Sequence, residues 1–388
     1  MNKKIIAALV AALLVAGGNS SSLLAGGLAD DLGIKISGNA IFILQGTPKL
    51  NDGSDKKHSG SYTFNLKFIK ELENNAKIVF HLDGGEGSGL PGQTYAWING
   101  DADSSYDPDS KEDGNAYTKV RVYYLYYQQA FLDEKLTLNF GKLNHASFFD
   151  NNEYANDEES QFVTGTFVVN QGLYTQLVHG RHLGFRAKYD FNEKLDFSYA
   201  YFSSDVDDFA SKGTNIAQIT LKPAETGNYR FWYAGDNTNY AHFDNANKSS
   251  GGYGFGLSFD QQIKGNFGLF ARASYFDPNV YVQNLEYSIG GQISGASWDR
   301  ERDKLAIAVG KVTNSDKIKE GSKDKNYTDN SKGYKNGTET QVEIYYNIGF
   351  TDNLTLSPIF QYFANPKGGN AAIDEDIVVY GIRTQFNF

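Results

Sequence analysis

There is no cysteine anywhere in the chain, which excludes a disulfide framework, thiol chemistry and any Cys-ligated metal site. Methionine is almost absent too, with one residue in 388. Beyond the first thirty residues no window holds even a dozen uninterrupted apolar residues, so helical membrane spans are excluded. The chain also lacks a basic excess: its formal charge of −10 argues against a nucleic-acid partner. Histidines are few, and His58, His145, His179, His182 and His242 mostly fall in loops without a recognisable serine-nucleophile motif, which argues against a hydrolase. His179 and His182 could share a metal, but two scattered imidazoles are a poor ligand set. The glycines of Gly252–Gly256 are not followed by a helical pattern and so do not form a phosphate cradle.

What is abundant is Tyr (26), Phe (27) and Gly (41), residues of strands, aromatic girdles and turns. The last twelve residues, IVVYGIRTQFNF, alternate without a break. Val378, Tyr380, Ile382, Thr384, Phe386 and Phe388 fall on one side of an extended strand, and Val379, Gly381, Arg383, Gln385 and Asn387 on the other. A greasy face backed by a wet one suits a strand between lipid and a water-filled lumen, and a negative mean hydropathy is what such a lumen gives. The terminal Phe388 resembles the signal by which outer-membrane barrels reach their assembly machinery.

Residues 1–29 read as a secretory signal: Lys3 and Lys4, then the apolar run Ile5–Ala16, then small residues. Cleavage after Ala29 and cleavage after Ala25 both remain open. Residues 30–388 read as a single barrel domain. Alternating runs predict sixteen strands, near 34–45, 60–70, 75–83, 119–131, 136–143, 181–190, 195–203, 216–222, 228–236, 252–260, 266–276, 285–293, 305–312, 339–350, 354–364 and 377–388. The fold class expected is therefore all-β: a transmembrane antiparallel barrel with an even strand number. Short connections alternate with long ones at 46–59, 84–118, 144–180, 237–251, 313–338 and 365–376, as tight inner turns alternate with long outer loops; the inner turn 294–304 is unusually long. Asp101, Asp103, Asp107, Asp109 and Asp113 resemble a calcium loop in composition, but the turn glycine is missing from its place, and outer-loop Ca²⁺ stays open.

On this register the lumen receives Lys35, Lys67, Lys77, His81, Arg121, Arg186, Lys188, Lys222, Arg230, Arg272 and Arg383, with Asp196, Glu286 and Glu343 as acids. Such side chains are expensive against lipid. They either bind solutes or simply keep the lumen hydrated. Trp232 shares a face with Arg230, and two readings stand: an aromatic plate on which a sugar ring slides, or a Trp packed beneath an infolded loop. The connection Asn144–Gly180 is expected to fold inward, because Phe148, Phe149, Phe162 and Phe167 need burial. It also carries Asp150, Glu153, Asp157, Glu158 and Glu159, which, facing wall arginines, would set a transverse field and narrow the hole. The alternative leaves these acids outside among divalent cations.

The run NFGKLNHASFFDNNEYANDEESQFVTGTFVVN at 139–170 and the ending LSPIFQYFANPKGGN…DEDIVVYGIRTQFNF at 356–388 resemble the carbohydrate-selective porin family of the OprB type and its cyanobacterial relatives, with weaker similarity at Phe267–Arg272 and Asp303–Gly310. The resemblance implies a sixteen-stranded outer-membrane channel that passes sugars by diffusion, narrowed by loops and lined by charged and aromatic residues. The reading reached is a non-enzymatic outer-membrane pore with no cofactor or resident metal, whose partners are small hydrophilic solutes and outer-membrane lipid. A general ion-permeable porin and a surface-structural or adhesin barrel are the alternatives, and monomer and homotrimer both remain open.

Overall fold

A computed structural model describes residues 32–48, 58–87, 90, 120–178, 181–205, 207–223, 226–245, 247–318, 337–369 and 376–388. The expected signal segment, His179 and the Asp101–Asp113 run lie outside these residues.

Alternation of apolar and polar residues produces sixteen strands here: β1 (Ile34–Gly46), β2 (His58–Leu72), β3 (Ala76–Glu86), β4 (Arg121–Phe131), β5 (Leu136–Asn144), β6 (Arg181–Asn192), β7 (Leu195–Ser203), β8 (Gly213–Leu221), β9 (Gly227–Ala241), β10 (Ser249–Lys264), β11 (Phe267–Phe276), β12 (Gln283–Ser294), β13 (Lys304–Asn314), β14 (Thr338–Gly349), β15 (Leu354–Ala364) and β16 (Ile377–Asn387). Each pairs antiparallel with its chain neighbours, and β16 closes on β1 with Ile43 opposite Arg383, so the barrel has no open edge. Closure extends to the last residue, where Gly38 and Phe388 exchange two backbone hydrogen bonds of 3.0 Å.

The two faces separate as the alternation requires. On β9, Phe231 and Tyr233 are 44% and 54% exposed on the outside, while Arg230, Trp232 and Ala234 between them are buried. Leu44, Phe140, Phe255, Ile289, Ile307 and Ile382 continue the outward apolar belt, the surface a membrane barrel presents to lipid. Two departures from the expected outline have local causes. The connection predicted at 237–251 is mostly strand: β9 runs on to Ala241 and β10 begins at Ser249, past a register shift between Ser250 and Gly252. On β4 a register shift against His81 and Leu82 breaks strict alternation.

The long inner turn between β12 and β13 is a built element. Gly295–Trp298 forms a 3₁₀ turn, ended by Asp299 in the left-handed region at φ 60°. Asp303 closes it, accepting from Arg300 Nε (2.5 Å), Tyr346 Oη (2.5 Å) and the Gly349 N–H (3.0 Å). The hydrogen bond from Arg300 is the main cause that holds the Asp303 carboxyl down at about 2. A carboxyl depressed on folding contributes stability that is complete above its unfolded value near 3.8 and is lost as pH falls through 2. The barrel is therefore expected to lose heat stability between about pH 4 and pH 2, and Asp303→Asn to flatten that part of the melting-temperature profile.

Candidate functional site

The segment from His145 to Val178 lies inside the barrel, because its partners are inward-facing residues on strands around most of the wall. Asn144 starts it, its side-chain oxygen accepting the Ala146 N–H (3.3 Å) at a 3₁₀ turn spanning His145–Ser147. The chain then reverses at Asp150, at φ 59°, a conformation Asp tolerates better than most residues.

Asp150 is the centre of the first anchor. Its carboxylate accepts the Asn170 N–H (2.7 Å), Asn170 Nδ2 (2.5 Å), the Trp232 indole N–H (3.2 Å) and Arg272 Nε (3.1 Å). Arg272 also donates to the carbonyls of Phe167 (2.7 Å) and Asp150 (3.0 Å), so one guanidinium ties two turns of the segment to β11. The pair is fully buried, which makes breaking it costly.

A second anchor comes from β14 and β16. Glu343 on β14 accepts the N–H groups of Val163 (2.9 Å) and Thr164 (2.8 Å). Arg383 on β16 donates to the carbonyls of Glu158 and Gln161, both at 2.8 Å, and Asn347 Nδ2 donates to the Ser160 carbonyl (2.6 Å). Between the anchors Phe162 packs edge-on against Tyr345 (5.0 Å) and Phe167 (5.4 Å), over Ala306 and Ala308 of the wall. The wall has small residues where the segment brings rings: a Cβ on Gly268 would lie 2.0 Å from the Tyr154 ring.

The expected inward fold of Asn144–Gly180 is thus what the described part of that segment does, but several expected pore-lining residues have another position. Arg272, Glu343 and Arg383 are covered by the segment and hold it. Trp232 is 3% exposed, its ring against Phe276 (6.1 Å) and its N–H on Asp150, so the packed reading applies and the sugar plate beside Arg230 does not. Arg230 itself is buried against Asp260 (2.5 Å). Arg186 donates to Asn139 Oδ1 and Ser198 Oγ, with its Cζ 4.9 Å above the Phe148 ring. Arg121 and Lys188 remain partly exposed in the lumen, ion-paired with Asp83 (2.8 Å) and Asp190 (2.6 Å). Of the segment's residues, Phe149 and Asp150 are buried, Phe148 packs on Tyr126 (5.7 Å) and Glu153 is exposed.

Asp157, Glu158 and Glu159 face the remaining space. With His81, Tyr123 and Tyr124, they line a cleft of about 230 Å³ between the segment and the wall of β2–β4, to which Asn65, Asn144 and Ser147 also contribute. Glu159 accepts from Asn39 and from Asn65 (2.7 Å), and Asn65 Oδ1 meets His81 Nε2 at 3.0 Å. The ring centroid of His81 lies 4.7 Å from those of both Tyr123 and Tyr124, and the series continues through Tyr126 to Phe148. The cleft offers ring surface on one side and carboxylates on the other, the combination that binds a polyhydroxylated ring.

Sequence reasoning missed the wall acids Asp83 and Asp260, although Asp83 stands two residues from His81 and Asp260 two from Ser258 on inward faces. It also missed the tyrosines of β4. The sequence Arg121-Val-Tyr-Tyr-Leu-Tyr-Tyr gives no sign of where the alternation breaks. Among the described residues no group of three or more His, Asp or Glu could hold a metal ion.

The sequence model of one family, described as carbohydrate-selective porin, OprB family, matches residues 84–228 and 215–388. Porin B of Pseudomonas aeruginosa is 28% identical over 127 residues, 31% of this chain and 28% of that protein's length. Among solved structures, the high-pH structure of Pseudomonas putida OprB superposes with a TM-score of 0.76 at 18% identity, covering 93% of this chain and 95% of that one. The outer membrane channel DcaP of Acinetobacter baumannii gives 0.56 at 13% identity, covering 92% and 97%. The anion-selective porin from Comamonas acidovorans gives 0.55 at 8%, covering 92% and 99%. Family and fold are those of channels rather than enzymes, and they put the chain in the bacterial outer membrane. With the matching residues running from 84 to the C-terminal Phe388, the chain belongs to the carbohydrate-selective porin, OprB family.

Proposed function

We propose that the protein is a porin through which carbohydrates and other small hydrophilic solutes diffuse passively, and that they pass between the infolded segment and the wall of β2–β4. The observation that carries this reading is the cleft itself, where Tyr123 and Tyr124 face Asp157, Glu158 and Glu159 across a space of about 230 Å³. A pyranose ring has apolar C–H faces that pack on aromatic rings and equatorial hydroxyls that donate to carboxylates, so the lining meets both parts of its chemistry. The infolded segment is the narrowing element in this reading, and Asp150, Arg272, Glu343 and Arg383 hold it against the wall.

The test is single-channel conductance of the refolded chain in a planar bilayer, titrated with mono- and disaccharides. Stepwise openings that sugar blocks in a saturable way are expected. Tyr124→Ala removes one ring from the cleft and is expected to raise the half-blocking sugar concentration roughly two- to tenfold, the equivalent of one aromatic contact. Openings indifferent to every sugar would favour a general ion-permeable porin. A folded barrel with no openings would favour a surface-structural role.

A further inference from the structure

We infer that Asn144 is the specificity-determining residue of the cleft, where its side-chain amide Nδ2 donates to one hydroxyl of a neutral sugar; this rests on the sugar-channel reading above. Most polar groups of the lining are already engaged within the protein. Asn65 Nδ2 donates to Asn39 Oδ1 (2.9 Å) and to Glu159 (2.7 Å), and Asn65 Oδ1 meets His81 Nε2 at 3.0 Å. Asp157 accepts the Glu159 N–H (2.9 Å) and the Ser160 hydroxyl. Tyr123, Tyr124 and Glu158 have partners as well, and Arg121 lies over the Tyr123 ring at 6.0 Å.

Asn144 differs from all of these. It ends β5, lines the cleft and is only 7% exposed. Its Oδ1 accepts the Ala146 N–H (3.3 Å), so the other end of the amide is the donor, Nδ2. Among the described residues Nδ2 has no partner, yet it is not sealed in protein. The hydroxyl of Ser147, exposed in the same lining three residues on, is likewise without a partner among the described residues. An amide this deeply set loses its water when a solute enters, and the loss is recovered only where the solute brings an oxygen to it. A sugar hydroxyl is such an oxygen, and the ring beside it suits the tyrosines of the lining. Stacking alone treats a sugar and its deoxy analogue much alike. A buried donor penalises the analogue that leaves it unpaired, so Asn144 gives the cleft its discrimination between hydroxyl patterns.

The test uses the full chain reconstituted in a planar bilayer, with glucose and its 2-, 3-, 4- and 6-deoxy analogues as blockers. In the wild type one analogue is expected to need roughly three- to tenfold more than glucose for half-block, the equivalent of one neutral hydrogen bond. Asn144→Ser keeps a side-chain oxygen suited to capping the turn but has no amide. It is expected to raise the half-blocking glucose concentration by about the same factor and to abolish the difference between glucose and that analogue. A residue that only shaped the turn would shift all the sugars alike and leave the difference in place. If the serine variant does not refold, Asn144→Asp, which keeps the side chain's shape and its cap, carries the same expectation. Equal block by glucose and all four analogues in wild-type channels that glucose does block, or an analogue penalty that persists in the variant, overturns the inference and leaves the sugar-porin reading standing. Wild-type channels that no sugar blocks overturn the sugar reading and this inference together.

Discussion

Arg272→Ala is expected to give a barrel with a larger and noisier conductance than the wild type, and one that unfolds more easily. The substitution takes from Asp150 its only ionic partner among the described residues while leaving the carboxylate buried, and it removes the donors to the Phe167 and Asp150 carbonyls. Truncating one member of a buried, hydrogen-bonded ion pair costs about 3–5 kcal/mol. That loss falls on the contact between the infolded segment and β11 and not on the strand ladder, so the segment is expected to leave the lumen before the barrel opens. Asp150→Ala makes the complementary cut and additionally strands the Trp232 indole N–H and the Asn170 amide. If the two residues act as one latch, the double variant costs less than the two single losses added together. The measurement is single-channel conductance beside thermal unfolding followed by electrophoretic mobility. An unchanged conductance in both single variants would show that Asp150 and Arg272 do not hold the narrowing element.

Glu343→Leu has the second large effect. Its carboxylate is the acceptor for two consecutive buried N–H groups, Val163 and Thr164, and it also receives Gln361 Nε2 at 3.4 Å. Leucine restores the volume and removes the cost of burying a charge, but leaves both amides unsatisfied, at about 1–3 kcal/mol each. The net expectation is a loss of about 2–4 kcal/mol, smaller than the sum because the buried carboxylate itself was expensive. Glu343→Gln keeps one carbonyl acceptor and is expected to lose about half as much. This anchor sits next to the acidic stretch, through Arg383 on Glu158 and Gln161. Loosening it is therefore expected to disturb ion selectivity, whereas the Asp150 anchor governs the size of the opening. Comparing reversal potential and conductance in the two series separates these roles.

The barrel was legible in the sequence to an unusual degree, for a physical reason. In a strand with lipid on one side and water on the other, each residue's polarity reports directly which way it points. The assignments for Thr63 and Asn65, for Arg186, and for Gln341 and Glu343 all follow from polarity alone, and burial agrees with each. The four phenylalanines of Asn144–Gly180 gave the reason for that segment to turn inward.

What alternation cannot supply is what stands opposite an inward residue. Lysines and arginines counted on the wall suggested a cationic lumen, but Asp83 and Asp260 pair with Arg121 and Arg230 across neighbouring strands, where register decides the pairing, and Asp190 pairs with Lys188 two residues away on the same strand. Trp232 was correctly placed inside, yet whether it met solute or Asp150 depended on the path of a segment more than eighty residues earlier in the chain. On β4 a single register shift sets Tyr123 and Tyr124 on the same cleft, because a bulge lets two consecutive side chains share a face. By itself, then, the sequence determined a membrane barrel with a polar interior and an inward loop, since these follow from local polarity and the need to bury aromatic rings. Only the tertiary structure decided which charges pair with one another and which hold the inward segment, because that depends on distances between strands and loops that are remote in sequence.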